Sequence, residues 1–259
     1  GGATTPTPVA VEAMALGLPI SHDASDAAAV GADLGVVVAF GELLRRPLLE
    51  ALPMVNLHFS LLPRWRGAAP VERAILAGDD RTGVCVMAVE VGLDTGGVYA
   101  RSELAIRRTS TATELGTQLT QVGSRLLVDV LRGGLVDPPE PQVGEATYAH
   151  KLTNEDRRLD WDRSAVELHR VVRIGGAWTT FRGRRLKVLE AVIDPAEASV
   201  DPTTPGGPTP GTIDGNRVAT GAGALRLVRV QPEGKGPLAA SDWLRGVRPE
   251  PAERMGEAL

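Results

Sequence analysis

Three polar side chains have types and spacing that could carry out chemistry at one pocket. Asn56 and His58 lie two residues apart, and Asp94 lies in a later loop framed by glycines. An amide can donate a hydrogen bond to a carbonyl oxygen that gains negative charge, and a protonated imidazole can stabilise the same charge. A carboxylate can orient the imidazole and can accept or release a proton. Together these groups suit acyl transfer to an amine.

The elements that would position these side chains are a strand and two loops. Residues 54–59 form a short apolar run, which is typical of a strand, and strand alternation places Asn56 and His58 on the same face. Both lie near the carboxyl end of that strand, where parallel α/β sheets bind ligands. We therefore expect Asp94, in the next glycine-framed loop, to converge on the same pocket.

The same residues also allow a purely structural interpretation. Single Asn, His and Asp residues at such spacing occur in many proteins, and a histidine near a strand end is often a hydrogen-bonded structural residue. Residue types and spacing alone leave both interpretations open.

The first part of the chain, 1–136, alternates helices with strands, which favours a mostly parallel sheet flanked by helices. The continuous apolar run 33–40 predicts a strand covered on both faces. The other predicted elements are helices 9–18, 42–51, 71–77 and about 112–131, and strands 54–59, 83–90 and 98–106.

Proline interrupts this alternation, so 137–150 is predicted to be a linker between two domains. The second part, 151–259, contains one clear helix, 164–172, and a proline-rich loop, 194–210. Its short β candidates are 179–181, 185–193, 212–213, 217–220 and 224–231. This pattern predicts a small barrel-like β domain.

Composition excludes several classes of protein. With 43% hydrophobic and 23% charged residues, the chain is neither a membrane span nor disordered throughout. A single cysteine, Cys85, rules out an intrachain disulfide framework, and we expect it to be a buried apolar side chain. The four histidines are scattered along the chain, so no metal site is predicted.

The net charge of −4 hides an uneven distribution of charged residues. Residues 1–150 carry 11 Lys and Arg against 17 Asp and Glu, whereas residues 151–259 carry 17 against 15. Because the basic residues are concentrated in the second part, the total charge does not exclude a nucleic-acid partner.

The full motifs resemble those of the folate-dependent formyltransferases. Asn-Leu-His at 56–58 is followed by Ser-Leu-Leu-Pro at 60–63, and Gly-Leu-Asp-Thr-Gly follows at 92–96. Segments 63–70, 147–152 and 159–161 are similar to the branch of the family that acts on methionyl-tRNA. Two long motifs at matching separation are far more specific than a lone glycine fingerprint.

The resemblance implies a Rossmann-like catalytic domain over 1–136 and an oligonucleotide-binding (OB)-like β-barrel over 151–259. It implies that Asn56, His58 and Asp94 are catalytic. The residues that it implies for folate binding are Ser60, Leu61, Leu62, Pro63, Gly92 and Leu93. The implied co-substrate is 10-formyltetrahydrofolate, without a metal, and the implied acceptor is initiator methionyl-tRNA. We expect a cytoplasmic monomer.

Two groups of basic residues are candidates for contacting tRNA. Arg64 and Arg66 flank Trp65 beside the predicted active site, where charge and stacking suit a single-stranded end; the alternative is a solvated loop. In the second part, the densest basic stretch contains Arg182, Arg184, Arg185 and Lys187. This stretch is predicted to contact tRNA phosphates, although nearby acidic residues also fit an ordinary charged surface.

The remaining large aromatic residues are expected to fill space. Phe59 replaces the small residue common in the family and is expected to point away from His58 and pack in the core. Trp161, Trp178 and Trp243 are also expected to pack in cores rather than stack on bases.

Family members begin with a strand, a loop, a helix and a second strand before the segment that 7–9 resembles. We therefore expect the biological protein to be longer than these residues, because strand 33–40 would otherwise have an unpaired apolar edge. In the family, a basic loop near the tRNA acceptor end also precedes that segment, and no residue here can be matched to it.

Two alternative functions remain at this point. One is another folate-dependent N-formyltransferase, acting on an amino sugar nucleotide or on glycinamide ribonucleotide, which would share the same three catalytic residues. The other is an inactive RNA-binding relative. Formyl transfer to methionyl-tRNA, with sugar nucleotides and uncharged tRNA as controls, separates the three.

Overall fold

Helices are interspersed with strands as far as residue 132, whereas strands predominate after it. The computed structural model describes residues 6–41, 44–194 and 208–257. The helices are α1 (Pro8–Ala15), α2 (Arg46–Ala51), α3 (Pro70–Ala77), α4 (Ala112–Arg132), α5 (Ala165–Arg173) and α6 (Ala240–Val247), with short 3₁₀ helices at Ala24–Ala29 and Glu155–Arg157. The strands are β1 (Gly35–Val38), β2 (Met54–His58), β3 (Arg66–Gly67), β4 (Arg81–Ala88), β5 (Val98–Ala105), β6 (Tyr148–Ala149), β7 (Trp178–Phe181), β8 (Arg184–Ile193), β9 (Ile213–Asp214), β10 (Arg217–Ala219), β11 (Ala224–Pro232) and β12 (Leu238–Ala239).

The sheet of the first part has the order β1-β2-β4-β5 and is mixed. β1 and β2 are parallel, whereas β4 runs antiparallel to both β2 and β5. The predicted parallel pairing is therefore confirmed for β1 and β2, whereas the other two pairings among the described strands are antiparallel. Loop 89–97 between β4 and β5 is shorter than the crossover that parallel neighbours require, so these two strands form an antiparallel pair.

The two faces of β2 have different surroundings. Val55 and Leu57 lie in a core with residues of α3, α4 and β4, and Phe59, just after the strand, packs against this core. Met54, Asn56 and His58 alternate with them and therefore face the other side of the sheet. This is the alternation that the sequence predicted.

Helix α4 covers the core face of the sheet. It begins with a capping box between Thr111 and Glu114, and it buries Leu115, Leu119 and Gly123, which are spaced four residues apart. A Cβ atom at Gly123 would lie 3.0 Å from a methyl carbon of Leu57. The glycine thus lets the helix lie close to β2, which supports the strand that carries Asn56 and His58.

Strand β1 is not covered on both faces, contrary to prediction. Val36 and Val38 are 45% and 48% exposed, and β1 stands at the edge of the sheet. None of the residues of α1 is buried, so that helix does not cover β1. Within the described residues, nothing packs on that face closely enough to bury the two valines.

The second part contains a six-stranded antiparallel sheet. Its order is β7-β8-β11-β10-β9, with β12 paired to β11. Among the described residues no pairing joins β7 to β9, so these strands do not close a barrel. Of the predicted proline-rich loop 194–210, residues 195–207 lie outside the described residues.

The core of the second part lies between this sheet, α5 and α6. Trp161 and Trp243 are buried in the core, and Trp178 is buried at the start of β7. The packing predicted for these three tryptophans is confirmed. Cys85, on β4 in the first part, is fully buried as well, and burial raises the pKa of its thiol.

The predicted linker 137–150 is held against the first part of the chain. Glu140 and Val98 exchange backbone hydrogen bonds of 2.8 and 2.9 Å, and β6 pairs in parallel with β3.

None of the helices in the described residues has the length and apolar character needed to cross a membrane. The same residues contain no group of three or more His, Cys, Asp or Glu side chains placed to bind a metal ion.

Candidate active site

Asn56 opens onto a small cavity of about 110 Å³ on the open face of β2. The strand holds Asn56 between Val37 of β1 and Met87 of β4. No hydrogen bond joins the Asn56 side chain to another described residue. Its amide is therefore free to bind a ligand. The cavity is lined by Val37, Phe40, Leu44, Asn56, Met87, Val89, Glu90, Val91, Gly92, Leu93 and Asp94.

His58 is 5% exposed and both of its ring nitrogens face defined groups. Nε2 lies 2.9 Å from the backbone oxygen of Trp65, and Nδ1 lies 3.6 Å from Oδ2 of Asp94. A carbonyl oxygen only accepts, so Nε2 carries a proton. A second proton would place an N–H at Nδ1, directed toward the Asp94 carboxylate.

Asp94 is held by the last residue of β3. The backbone N–H of Gly67 donates to Asp94 Oδ2 over 2.7 Å. This oxygen is also the one nearest His58, so a single carboxylate oxygen meets both the imidazole and the Gly67 N–H. Asp94 itself has φ of +51°, which is uncommon for a residue with a side chain and needs support from its surroundings.

Trp65 directs its carbonyl toward His58 because hydrogen bonds from its backbone and from its side chain fix the loop that contains it. Its backbone N–H donates to Thr147 Oγ1 over 2.9 Å, and its indole N–H donates to Asp79 Oδ2 over 2.8 Å. Arg64 donates two hydrogen bonds to the same carboxylate and lies 4.6 Å from the centre of the indole ring. These contacts stabilise Trp65 at its φ of +62°.

The predicted folate residues lie in two different environments. Gly92 and Leu93 line the cavity beside Asn56 and Asp94. Ser60 is fully buried and donates to the Arg64 backbone oxygen, whereas Leu62 packs on Cys85, Met87 and Val98. Leu61 and Pro63 are partly exposed and do not line the cavity. The side chains of Ser60 and Leu62 therefore shape the loop rather than face a ligand.

The predicted tRNA-binding residues differ in how firmly they are paired. Arg64 is bound to Asp79, Arg66 donates two hydrogen bonds to Gln142 Oε1, and Arg182 forms a bidentate pair with Glu253. Arg185 lies 4.2 Å from the centre of the Trp178 ring. Arg182, Arg184 and Arg185 border one hollow of about 220 Å³, and Arg185 and Lys187 border a second of about 170 Å³.

Sequence reasoning missed three residues that support the site. Asp79 and Thr147 hold the Trp65 loop, and Gln142 contacts the loop that carries Asp94. The Thr-Tyr-Ala-His string at 147–150 signalled family resemblance without assigning Thr147 a role. Gln142 lies in a proline-rich segment and has no sequence signal at all.

The arrangement can stabilise a developing oxyanion and move a proton at one place. The free amide of Asn56 supplies a hydrogen-bond donor at the cavity, and Asp94 supplies a carboxylate on the same wall. The Trp65 carbonyl fixes the His58 ring, whose Nδ1 lies 3.6 Å from Asp94. When both ring nitrogens carry a proton, the ring adds a positive charge next to Asp94.

Comparisons with known proteins agree with this chemistry. The family described as "Formyl transferase" matches residues 21–131, and "Formyl transferase, C-terminal domain" matches residues 151–248. A protein of Methylobacterium sp., named "Methionyl-tRNA formyltransferase", is 43% identical over 98% of this chain and 86% of its own length. A protein of the same name from Cereibacter sphaeroides is 40% identical over 93% of this chain and 82% of its own length.

A solved structure supports the same fold at lower similarity. HypX from Aquifex aeolicus, in complex with tetrahydrofolic acid, matches with a TM-score of 0.63 and 18% identity. The match covers 88% of this chain, which spans 41% of the HypX chain. At this identity the likeness concerns the fold alone.

Proposed function

Because this chain belongs to the methionyl-tRNA formyltransferases, we propose that it transfers the formyl group of 10-formyltetrahydrofolate to the α-amino group of initiator methionyl-tRNA. The observation that carries the proposal is the convergence of Asn56, His58 and Asp94. Asn56 and Asp94 share a cavity, and His58 lies 3.6 Å from Asp94.

Asn56 acts on the formyl oxygen. Its side chain has no hydrogen-bond partner among the described residues, so its N–H can donate to that oxygen as the amine attacks the formyl carbon. Since the backbone of Asn56 is held between two neighbouring strands, the amide remains beside the cavity during the reaction.

His58 and Asp94 control charge and protons. The Trp65 carbonyl holds the imidazole with its Nδ1 side toward Asp94, so a proton on Nδ1 faces the carboxylate. Asp94 also lies at the cavity wall, where it can take the proton that the attacking amine releases, directly or through a water molecule. The bond between the formyl carbon and the folate nitrogen then breaks, and the nitrogen takes up this proton as tetrahydrofolate leaves.

The cavity fits the reactive end of the folate co-substrate. Its walls combine apolar side chains with the amide of Asn56 and the carboxylates of Glu90 and Asp94, which suits a flat ring carrying polar groups. Its volume, about 110 Å³, is well below that of the clefts that bury a whole drug-sized ligand. The rest of the folate would therefore lie outside it, toward the loop of Ser60, Leu61, Leu62 and Pro63.

The basic residues of β8 and of the turn before it supply the contact with tRNA phosphates. Arg184 and Lys187 are exposed, whereas half-buried Arg185 stacks its guanidinium on Trp178, donates to Asn154 Oδ1 and borders two hollows. Arg64 and Arg66 lie next to the site, where they can meet the acceptor end.

We extend the same proposal to the finer features of the molecule. The antiparallel sheet of the second part is the framework of an OB-like domain, the boundaries of the two domains are 1–136 and 151–259, and the protein acts as a cytoplasmic monomer. Size-exclusion chromatography with light scattering measures directly whether the protein is a monomer in solution.

Formylation assays of variants test the proposed function. Asn56→Ala, His58→Ala and Asp94→Ala should each lower kcat by about 10²- to 10⁴-fold, because each removes a group that stabilises charge or moves a proton in the transition state. Initial rates of formyl transfer from 10-formyltetrahydrofolate to methionyl-tRNA give the measurement.

Arg125→Ala, on an exposed part of α4, is the matched control and should retain wild-type rates. Sugar nucleotides, glycinamide ribonucleotide and uncharged tRNA should not act as acceptors. Near wild-type turnover by Asp94→Ala would contradict the assignment, and turnover with a sugar nucleotide alone would favour a different acceptor.

A further inference from the structure

Gln142 lies between the two loops of the active site although it belongs to neither. It is a half-buried residue of the linker 137–150, 48 residues after Asp94. On one side it meets the loop that carries Asp94, and on the other it meets Arg66 of β3.

Every polar atom of the Gln142 side chain has a partner. Nε2 donates one hydrogen bond to the backbone oxygen of Asp94 and one to that of Gly96, each over 2.8 Å. Oε1 accepts from Nε and Nη2 of Arg66 over 3.1 and 2.7 Å. Because carbonyl oxygens only accept and a guanidinium only donates, this orientation of the amide is the one that satisfies all four contacts.

The Asp94 loop needs such support. Asp94 is in the left-handed region of backbone conformation, which costs about 1 kcal/mol or more for a residue with a side chain. Gly96 lies so close to β4 that a Cβ atom there would fall 2.0 Å from the Ala88 backbone oxygen. One of the two carbonyls that Gln142 binds therefore belongs to the residue in the left-handed conformation, Asp94. The other belongs to the residue packed against β4, Gly96.

Gln142 is itself anchored on both sides in the sequence. Two residues earlier, Glu140 pairs with Val98 of β5, and five residues later Thr147 accepts a hydrogen bond from the Trp65 backbone N–H. The linker thus spans the site from β5 to the Trp65 loop, and Gln142 is its contact with the loop between β4 and β5.

We propose that Gln142 is a positioning residue for the reaction: by donating to the Asp94 and Gly96 carbonyls it holds the Asp94 carboxylate against His58 and the Gly67 N–H. This inference rests on the proposed function for its kinetic consequence. Its structural consequence, a fixed loop at 92–97, does not depend on it.

Two substitutions of similar size separate the two halves of the contact. Gln142→Glu keeps an acceptor for Arg66 but lacks the donor, whereas Gln142→Met removes both. We expect both variants to lower kcat by about 10- to 100-fold with less than a threefold change in KM for methionyl-tRNA, since misplacing a catalytic group by about 1 Å has effects of this size. Val143→Ala, at an 86% exposed neighbour, should retain wild-type kinetics.

Hydrogen exchange supplies a readout that does not require activity. In peptides covering 64–70 and 91–98, both Gln142 variants should exchange backbone amides at least about fivefold faster than wild type and Val143→Ala, because the Gly67 N–H loses its fixed acceptor. Thermal unfolding should stay within about 3 °C of wild type, which separates loop positioning from global destabilisation.

Each outcome has a distinct meaning. An inactive wild type would refute the proposed function, and the exchange rates would still test the positioning role. Wild-type kcat in Gln142→Glu would mean that Arg66 alone uses this side chain, which would overturn the inference. Unchanged exchange in both variants would overturn it as well.

Discussion

At the scale of single residues, the orientation of His58 follows from the chemistry of the groups around it. The Trp65 carbonyl can only accept, and the Asp94 carboxylate faces the other ring nitrogen. Trp65 keeps this position through Thr147 and Asp79, so the tautomer of His58 is set by residues that do not line the cavity at Asn56. Two of the three site residues are therefore aligned by backbone groups, the Trp65 oxygen and the Gly67 N–H.

This arrangement predicts the tautomer of His58. When the ring is neutral, the proton should reside on Nε2, because the Trp65 carbonyl accepts from that nitrogen. Long-range ¹H–¹⁵N correlation spectra of ¹⁵N-histidine-labelled protein measure it, and His58→Gln identifies the signal among the four histidines. A neutral ring protonated at Nδ1 would contradict the geometry.

Sequence reasoning succeeded where a local rule decides the outcome. Strand alternation placed Asn56 and His58 on one face, and the apolar surroundings of Cys85 predicted its burial. It failed where the answer depends on residues distant in sequence. The direction of β4 relative to β2 and the contact of Gln142 with a loop 48 residues earlier leave no trace in local spacing.

At the scale of elements, α3 links the catalytic loops to the second part of the chain. Arg73 of α3 forms a bidentate pair with Asp156 in the 3₁₀ helix Glu155–Arg157, and it donates to the His150 backbone oxygen. Asp156 also accepts from the backbone N–H and hydroxyl of Thr153. The hydrogen bond from Arg73, followed by those from Thr153, lowers the pKa of Asp156 to about 2.

The lowered pKa predicts a pH-dependent contribution to stability. The folded protein holds Asp156 ionised more strongly than the unfolded chain does, so its stabilisation is present above about pH 4 and is lost as the pH falls toward 2. At pH 7, Asp156→Asn should lower the free energy of unfolding by about 1–2 kcal/mol, because the pair is only partly buried. Urea denaturation at pH 7, 5 and 3.5 provides the measurement.

The difference between wild type and Asp156→Asn should be constant from pH 7 to 5 and smaller at pH 3.5. Glu145→Gln, at an exposed linker residue, serves as the charge control and should show little effect at any of these values. A difference that grows on acidification would have the wrong sign for this pair.

At the scale of the whole molecule, hydrogen bonds and an ion pair join the two parts of the chain. Buried Arg173 of α5 donates to the backbone oxygens of Ser110 and Arg107, next to the start of α4. The Arg73–Asp156 pair and the hydrogen bond from Arg170 to the Ala77 backbone oxygen are further charge-assisted contacts between the parts. The basic residues of β8 are thereby held in a fixed relation to the cavity at Asn56.

This geometry predicts a salt-dependent tRNA contact. Arg184→Glu and Arg185→Glu should each raise KM for methionyl-tRNA by about 3- to 10-fold at low salt and flatten its dependence on salt concentration, because each lost phosphate contact reduces the log–log slope by roughly one. The rate at saturating tRNA should remain close to wild type. Steady-state kinetics from 50 to 200 mM salt provide the measurement.

Arg125→Glu makes the same change of charge at an exposed position of α4, where it should leave the salt slope unchanged. If the β8 variants matched this control, the phosphate contacts would lie on another surface of the protein.

The course of the linker across the site also bears on how such enzymes can be recombined. The two family matches end at residue 131 and resume at residue 151, so the intervening segment belongs to neither. Yet Gln142 and Thr147 of that segment touch the two loops that align Asp94 and His58. In a chimera that exchanges the C-terminal part between relatives, residues 137–149 should therefore come from the same parent as the catalytic part.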